Sequence, residues 1–200
     1  MSPRSKEQNA AIKDERREQL LLAALKVFAR RGLAATKIGD IAAAAGMSHG
    51  LVYHYFNAKD DIYIELTRRA TSSATRFLLE MDGLPLEPAE KLREIACGSL
   101  KMIDEEEENA YYFYLMVQAT VSNTGLAEVN ELLQRFTVPM EVVTRTIAQG
   151  QAMGLFIAGN PVEHALAFWA AIQGLAACKV AGMGSMPDGN LLVRMLETRG

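Results

Sequence analysis

Apolar and polar positions recur along most of the chain with the spacing of α-helices. From Ile12 to Arg31, Leu21, Ala24, Leu25 and Phe28 share one stripe, and Gly32 ends the segment after Arg30 and Arg31. Thr36 stands as an N-cap before a short helix that passes through an alanine run to Gly46. Ser48 is placed to cap a second short helix to about Phe56. Asn57, with Asp60 three residues on, is placed to cap a third helix that runs to about Met81. After Gly83, Pro85 and Pro88, a helix from about Ala89 to Asp104 turns Leu92, Ile95, Ala96, Leu100 and Ile103 inward. Residues 109–123 are apolar or aromatic all round, which requires burial or a cavity wall. The pattern from about Leu126 to Met153 contains Pro139, which must kink or divide it. Asn160 and Pro161 open a helix to about Ala181, and a last one covers about Asp188 to Glu197. The fold class expected is all-α.

Two short helices joined by a glycine-containing turn make a helix-turn-helix. At 100° per residue, the second of them has Ser48, Val52, Tyr55 and Phe56 on one side and His49, Gly50, Tyr53 and His54 on the other. The first group can pack inward. The second sets two imidazoles, a phenol and bare backbone on the surface, near a lysine, which suits the reading of a DNA groove.

The motif Gly46-x-Ser48-x-x-x-x-Tyr53-x-Tyr55-Phe56-x-x-Lys59, preceded by Thr36-x-x-x-x-Ile41-Ala42-x-x-Ala45-Gly46, resembles the N-terminal DNA-binding domain of the tetracycline-repressor (TetR) family. The resemblance runs from about Leu21 to Ile62. It implies a three-helix DNA-binding domain over residues 10–58. A shared long helix would join it to an effector-binding and dimerisation domain over 59–200. On that footing Tyr53, Lys59, Thr36 and the start of its helix contact phosphate, with Lys37 as an added contact. His49, Gly50 and His54 face bases or the adjoining backbone, and Leu51 competes between a thymine methyl and the core. Gly50 departs from the commonest pattern at its position. Ser48 completes the DNA-binding set, and the polar N-terminal arm with Arg4 and Lys6 is expected to be loose.

The function so implied is a dimeric, ligand-responsive transcriptional regulator, most simply a repressor released from a near-palindromic operator. The alternative is a helix-turn-helix adaptor controlled by a protein partner or without a small ligand. A small, partly apolar effector is suggested by aromatic and methionine density, with Met102, Tyr111, Tyr112, Tyr114, Leu115, Phe136, Met140, Met153, Trp169 and Gln173 as candidate pocket residues. The helix from Pro161 scarcely has a polar face. Its small stripe of Ala167, Ala170, Ala171, Gly174, Ala177 and Cys178 points to a partner copy. Family resemblance adds the last helix, with Leu192 and Met195, to a four-helix dimer interface.

Charge sharpens this picture. Residues 1–59 hold ten Lys/Arg against five Asp/Glu, whereas 60–200 hold eleven against nineteen, so an overall −3 conceals a basic head on an acidic body. The run Asp104–Glu108 is expected to be a solvated charge face. His49 and His54 lack the i, i+4 spacing of a shared metal site, and Cys97 and Cys178 form no CxxC. Neither catalytic residues nor a metal or cofactor are expected. The thiols are expected to be reduced. With no secretory signal or membrane-length apolar run in view, the expected location is cytoplasmic, and nucleoid-associated when DNA is bound.

Overall fold

The computed structural model describes the backbone of residues 6–122 and 124–198, with side chains from residue 10 onward. It is built from ten helices: α1 (Lys6–Ala35), α2 (Ile38–Ala44), α3 (His49–Tyr55), α4 (Lys59–Gly83), α5 (Pro88–Glu105), α6 (Glu107–Val121), α7 (Ala127–Arg135), α8 (Val138–Ala152), α9 (Pro161–Val180) and α10 (Asn190–Arg194). Arg4 lies outside the described residues. Lys6, expected in a loose arm, belongs to α1.

Several boundaries follow the local chemistry, and others correct it. Gly32 breaks α1 with φ 73°, a left-handed conformation that glycine adopts without a Cβ clash. Thr36 is not the cap of α2: it is fully buried, and its hydroxyl donates to the Gly32 carbonyl at 2.7 Å. Asp40 serves instead, accepting from the Lys37 N–H at 2.9 Å. At the start of α4, Asp61 rather than Asp60 accepts from the Asn57 and Ala58 N–H groups, at 3.1 and 3.2 Å. Pro139 does divide its segment. It sits in the first turn of α8, where a missing N–H costs no hydrogen bond. Asn160 caps α9 by accepting from Val162 N–H at 3.0 Å.

Two apolar cores share the chain. One, in the body, gathers Leu78, Leu92, Ile95, Leu100, Ile103, Val143, Ile147, Phe168 and Ile172. The other holds Leu21, Leu25 and Phe28 of α1, Ile41 of α2, Val52 of α3 and Ile62, Tyr63 and Leu66 of α4. Tyr111, Leu115 and Ala119 of α6 and Val129 of α7 also enter this second core. The Phe28 and Tyr63 rings meet edge to face at 5.1 Å, and burial pushes the Tyr63 phenol up to about 12. The head core therefore reaches past residue 58 into α4, α6 and α7.

Polar ties reinforce that continuity. Lys26 of α1 pairs with Glu107 at 2.8 Å, and Gln118 Nε2 donates to the Ala29 carbonyl at 2.9 Å. Asp104 pairs with Lys179 at 2.6 Å. The acidic run is thus partly engaged in links between helices rather than simply solvated. Arg69 of α4 binds Glu18 of α1 at 2.9 Å, which holds the Glu18 carboxyl below the usual carboxylate range.

Gly189 begins α10 so close to α5 that an added Cβ would stand 2.5 Å from the Cys97 backbone nitrogen. Backbone cannot swing aside as a flexible side chain can. Gly189→Ala is expected to lower unfolding free energy by about 1–3 kcal/mol in urea titrations. An unchanged midpoint would mean that α10 slides freely on α5.

Candidate nucleic-acid interface and effector groove

The reading helix α3 is set by two short-range features. Gly46, at φ 63°, supplies the turn after α2, and the Met47 N–H returns to the Ala42 carbonyl at 2.9 Å. Ser48 then caps α3 by accepting from Leu51 N–H at 3.3 Å. Val52 and Phe56 are buried in the head core, with Tyr55 and Leu51 half-buried against it. His49, Gly50, Tyr53 and His54 face solvent, Tyr53 at 54 % exposure. Ser48, expected inward, is also exposed because capping turns it to the helix end. Leu51 is closer to a packing residue than to a free thymine contact.

The His49 ring leans on α2. A Cβ placed on Gly39 would lie 2.9 Å from His49 Nε2, so the absence of a side chain at residue 39 makes the seat for this imidazole. No periodicity marks Gly39, because the contact joins two helices. Lys37 is exposed at the entrance to α2, whereas Arg31 nearby is paired with Asp40 at 2.7 Å.

Lys59 departs most from its expected role. Its ammonium donates to the carbonyls of Leu33, Thr36 and Ala34 at 2.7, 2.8 and 3.4 Å. These oxygens, left without helical partners where α1 ends, draw a cation from the first turn of α4. The Lys59 ammonium is thus held by backbone carbonyls, and it clips α1 to α4. Thr36 is likewise turned inward, its hydroxyl committed to Gly32.

The residues expected around an effector do not form one cavity. Tyr111 and Leu115 are buried in the head core, and Tyr112 and Tyr114 pack against it. The Tyr111 hydroxyl accepts from Arg30 at 3.3 Å and donates to Glu107 at 3.1 Å. Trp169 is buried in the body, with Nε1 donating to the Pro139 carbonyl at 3.0 Å. Met140 packs against the body core, Met153 is exposed, and Met102 and Gln173 are half-buried. Of the ten, Phe136 alone lines a groove of about 650 Å3 between α4 and α7. The other members of that groove, among them Arg76, Leu79, Glu80, Leu132 and Arg135, lie on a helix boundary that periodicity does not reveal.

On α9 the small stripe is partly outward. Ala167, Ala170 and Gly174 are exposed, with Leu166 at 60 %, whereas Ala171, Ala177 and Cys178 are half-buried. Leu192 belongs to the protein's own core. Leu191 and Met195 are the residues that α10 turns to solvent, the latter at 70 %. No cluster of three or more His, Cys, Asp or Glu able to hold a metal occurs among the described residues. Nor is any described helix long and apolar enough to cross a membrane.

A trihelical head that anchors one face of its third helix in the core and turns the other to solvent, carried on a helical body, defines a helix-turn-helix protein of two helical parts. Residues 20–66 match the family model of bacterial regulatory proteins, tetR family. The chain is 29 % identical over 166 residues to the HTH-type transcriptional repressor KstR2 of Rhodococcus jostii (strain RHA1), covering 80 % of each chain. It is 34 % identical over 94 residues to the HTH-type transcriptional regulator AcrR of Shigella flexneri. That match spans 46 % of this chain and 44 % of AcrR, less than half of either. In fold it is similar to AibR, solved in complex with isovaleryl coenzyme A and operator DNA. There the TM-score is 0.68 and the identity 17 %, over 91 % of this chain and 98 % of that one.

Two substitutions separate positioning from reading. Lys59→Met is expected to cost about 1.5–3 kcal/mol of stability, as loss of hydrogen bonds from a charged donor does, in thermal or urea unfolding. The salt dependence of DNA binding should keep its slope; a slope reduced by about one would return Lys59 to the phosphate contacts. Gly39→Ala should displace His49 and change the ranking of DNA variants in a competition assay. Equal weakening on every sequence would show that His49 reads no base.

Proposed function

We propose that the chain acts as a homodimer that binds a near-palindromic operator and is released from it by a small, partly apolar effector. The observation that carries this reading is the outward face of α3, with His49, Gly50, Tyr53 and His54 exposed while Val52 and Phe56 anchor the helix. A side-chain row of this kind enters a major groove, and a dimer places two such rows about 34–36 Å apart or at a multiple of that distance. Lys37 and Tyr53 serve the phosphates; His49, His54 and the bare backbone at Gly50 serve the base edges. Residues 10–58 act as the reading unit and 59–200 as the part that pairs and senses.

Pairing rests on the exposed apolar side of α9 and α10. Val162, Leu166, Ala170 and Gly174 of α9 and Leu191 and Met195 of α10 are exposed, and a second copy excludes water from them. Small residues at the centre allow two α9 backbones to approach closely. Repression is supported by the relationship to KstR2, named a repressor, and response to a small molecule by the fold shared with AibR, solved with an acyl thioester and operator DNA. The adaptor alternative draws on one observation: most of the aromatic residues once expected around an effector are packed in cores.

Selection from random duplex DNA by the full chain should enrich a near-palindrome, and sedimentation should give twice the 21.9 kDa chain mass. A monomer that enriches no sequence would remove this function. Replacing His49 by Ala should then shift preference by about 1–3 kcal/mol at the base pairs it faces.

A further inference from the structure

The groove between α4 and α7 has a definite chemistry. Leu79, Leu132 and Phe136 give it apolar walls, and Arg76 and Arg135 line it beside them. Neither guanidinium forms an ion pair among the described residues, although most arginines of the body are paired. Glu80 is also in the groove, at the i, i+4 spacing from Arg76, but the two do not join. Two cations against one carboxylate leave the groove positive within a body whose sequence is acidic. Arginines fork onto carboxylate or phosphate oxygens, while the leucines and the phenyl ring favour a hydrocarbon or aryl body.

We infer that this groove binds an amphipathic anion, its charged head between Arg76 and Arg135 and its apolar body against Leu79, Leu132 and Phe136. Resting on the proposed regulator, this names the class of its effector. The position also supplies a route to the head. α7 is tied to α4 by the Arg68–Glu128 pair, and its Val129 lies in the head core. A ligand lodged between residues 71–80 and 132–136 acts on the α4–α7 contact a few turns from α3. It lowers DNA affinity only if it binds the non-reading arrangement more tightly.

The test uses the full chain at low ionic strength, with decanoate and decanoyl-coenzyme A as anionic probes below micelle-forming concentrations. Decyltrimethylammonium is the cationic control. Calorimetry should show binding of at least one anion, with the cation at least ten-fold weaker. The double variant Arg76→Gln/Arg135→Gln should bind that anion at least ten-fold more weakly. It should keep the ligand-free melting temperature, since both side chains are exposed and unpaired. Should that variant not fold, Leu79→Glu in the exposed wall gives the same reading through the tail. Binding of decanoate assigns the head to a free carboxylate; binding of the thioester alone assigns it to a phosphate-bearing carrier. Either result supports the groove. No binding of either anion, equal binding of the cation, or variants that bind as the wild type does would overturn it. Ligand-free DNA selection is scored separately: a chain that selects DNA and ignores both probes loses only this groove, whereas one that selects no DNA loses the regulator reading.

Discussion

The arrangement depends on one helix belonging to two cores. The first turns of α4 place Ile62, Tyr63 and Leu66 among the side chains of α1, α2 and α3, while Leu78 near its other end lies in the body core. No flexible linker separates the two parts. Lys59 fixes the near end by binding three carbonyls at the close of α1, and Asp82 fixes the far end through Arg145 at 2.6 Å. A change in the direction of α4 is therefore a change in the direction of the head, because packed interiors transmit displacement rather than absorb it.

α6 extends this constraint. Its aromatic density is explained less by a cavity than by its place between two parts. Tyr111, Leu115 and Ala119 face α1 and α4, while Ala110 of the same helix joins the body core. The polar ties Lys26–Glu107, Arg30–Tyr111 and Gln118–Ala29 lie along the same α1–α6 boundary. Such exposed or half-exposed contacts each contribute little stability. Their value is directional, since they hold α1 at one register on α6 while apolar packing provides most of the adhesion.

The fold was legible wherever a signal was local. Stripes at helical spacing located α1, α5 and α9, capping chemistry located α3 and α9, and Pro139 marked the break between α7 and α8. Both faces of α3 could be assigned from angle alone, except at Ser48, which capping turns outward. Signals that depend on two distant elements were not legible. Asp61 displaced Asp60 because cap geometry is decided by one residue of register. Lys59 was expected at a phosphate, yet its ammonium lies beside the end of α1, a proximity only the folded chain creates. The aromatic segment 109–116 satisfied a core and a cavity wall equally well by composition. Which one it formed depended on α1 packing across it. Arg76 and Arg135 are 59 residues apart and gain meaning only when α4 and α7 meet.

An open groove rather than an enclosed chamber fits the energetics of control. Burying a ligand deep in either core would displace close-packed side chains, and overpacking costs about 1–3 kcal/mol before any new contact forms. At the α4–α7 surface the arginines are already exposed, so an anion replaces solvent without breaking an ion pair, and its apolar body covers Leu79, which is 54 % exposed. Tight binding alone moves nothing, because only the difference in affinity between two arrangements shifts their populations. That difference arises where the ligand touches two helices whose separation changes. Here α7 contributes to the head core through Val129 while α4 carries the head itself. A molecule held against both is sensitive to the tilt of α4, whereas one held by α4 alone would ride with it and report nothing.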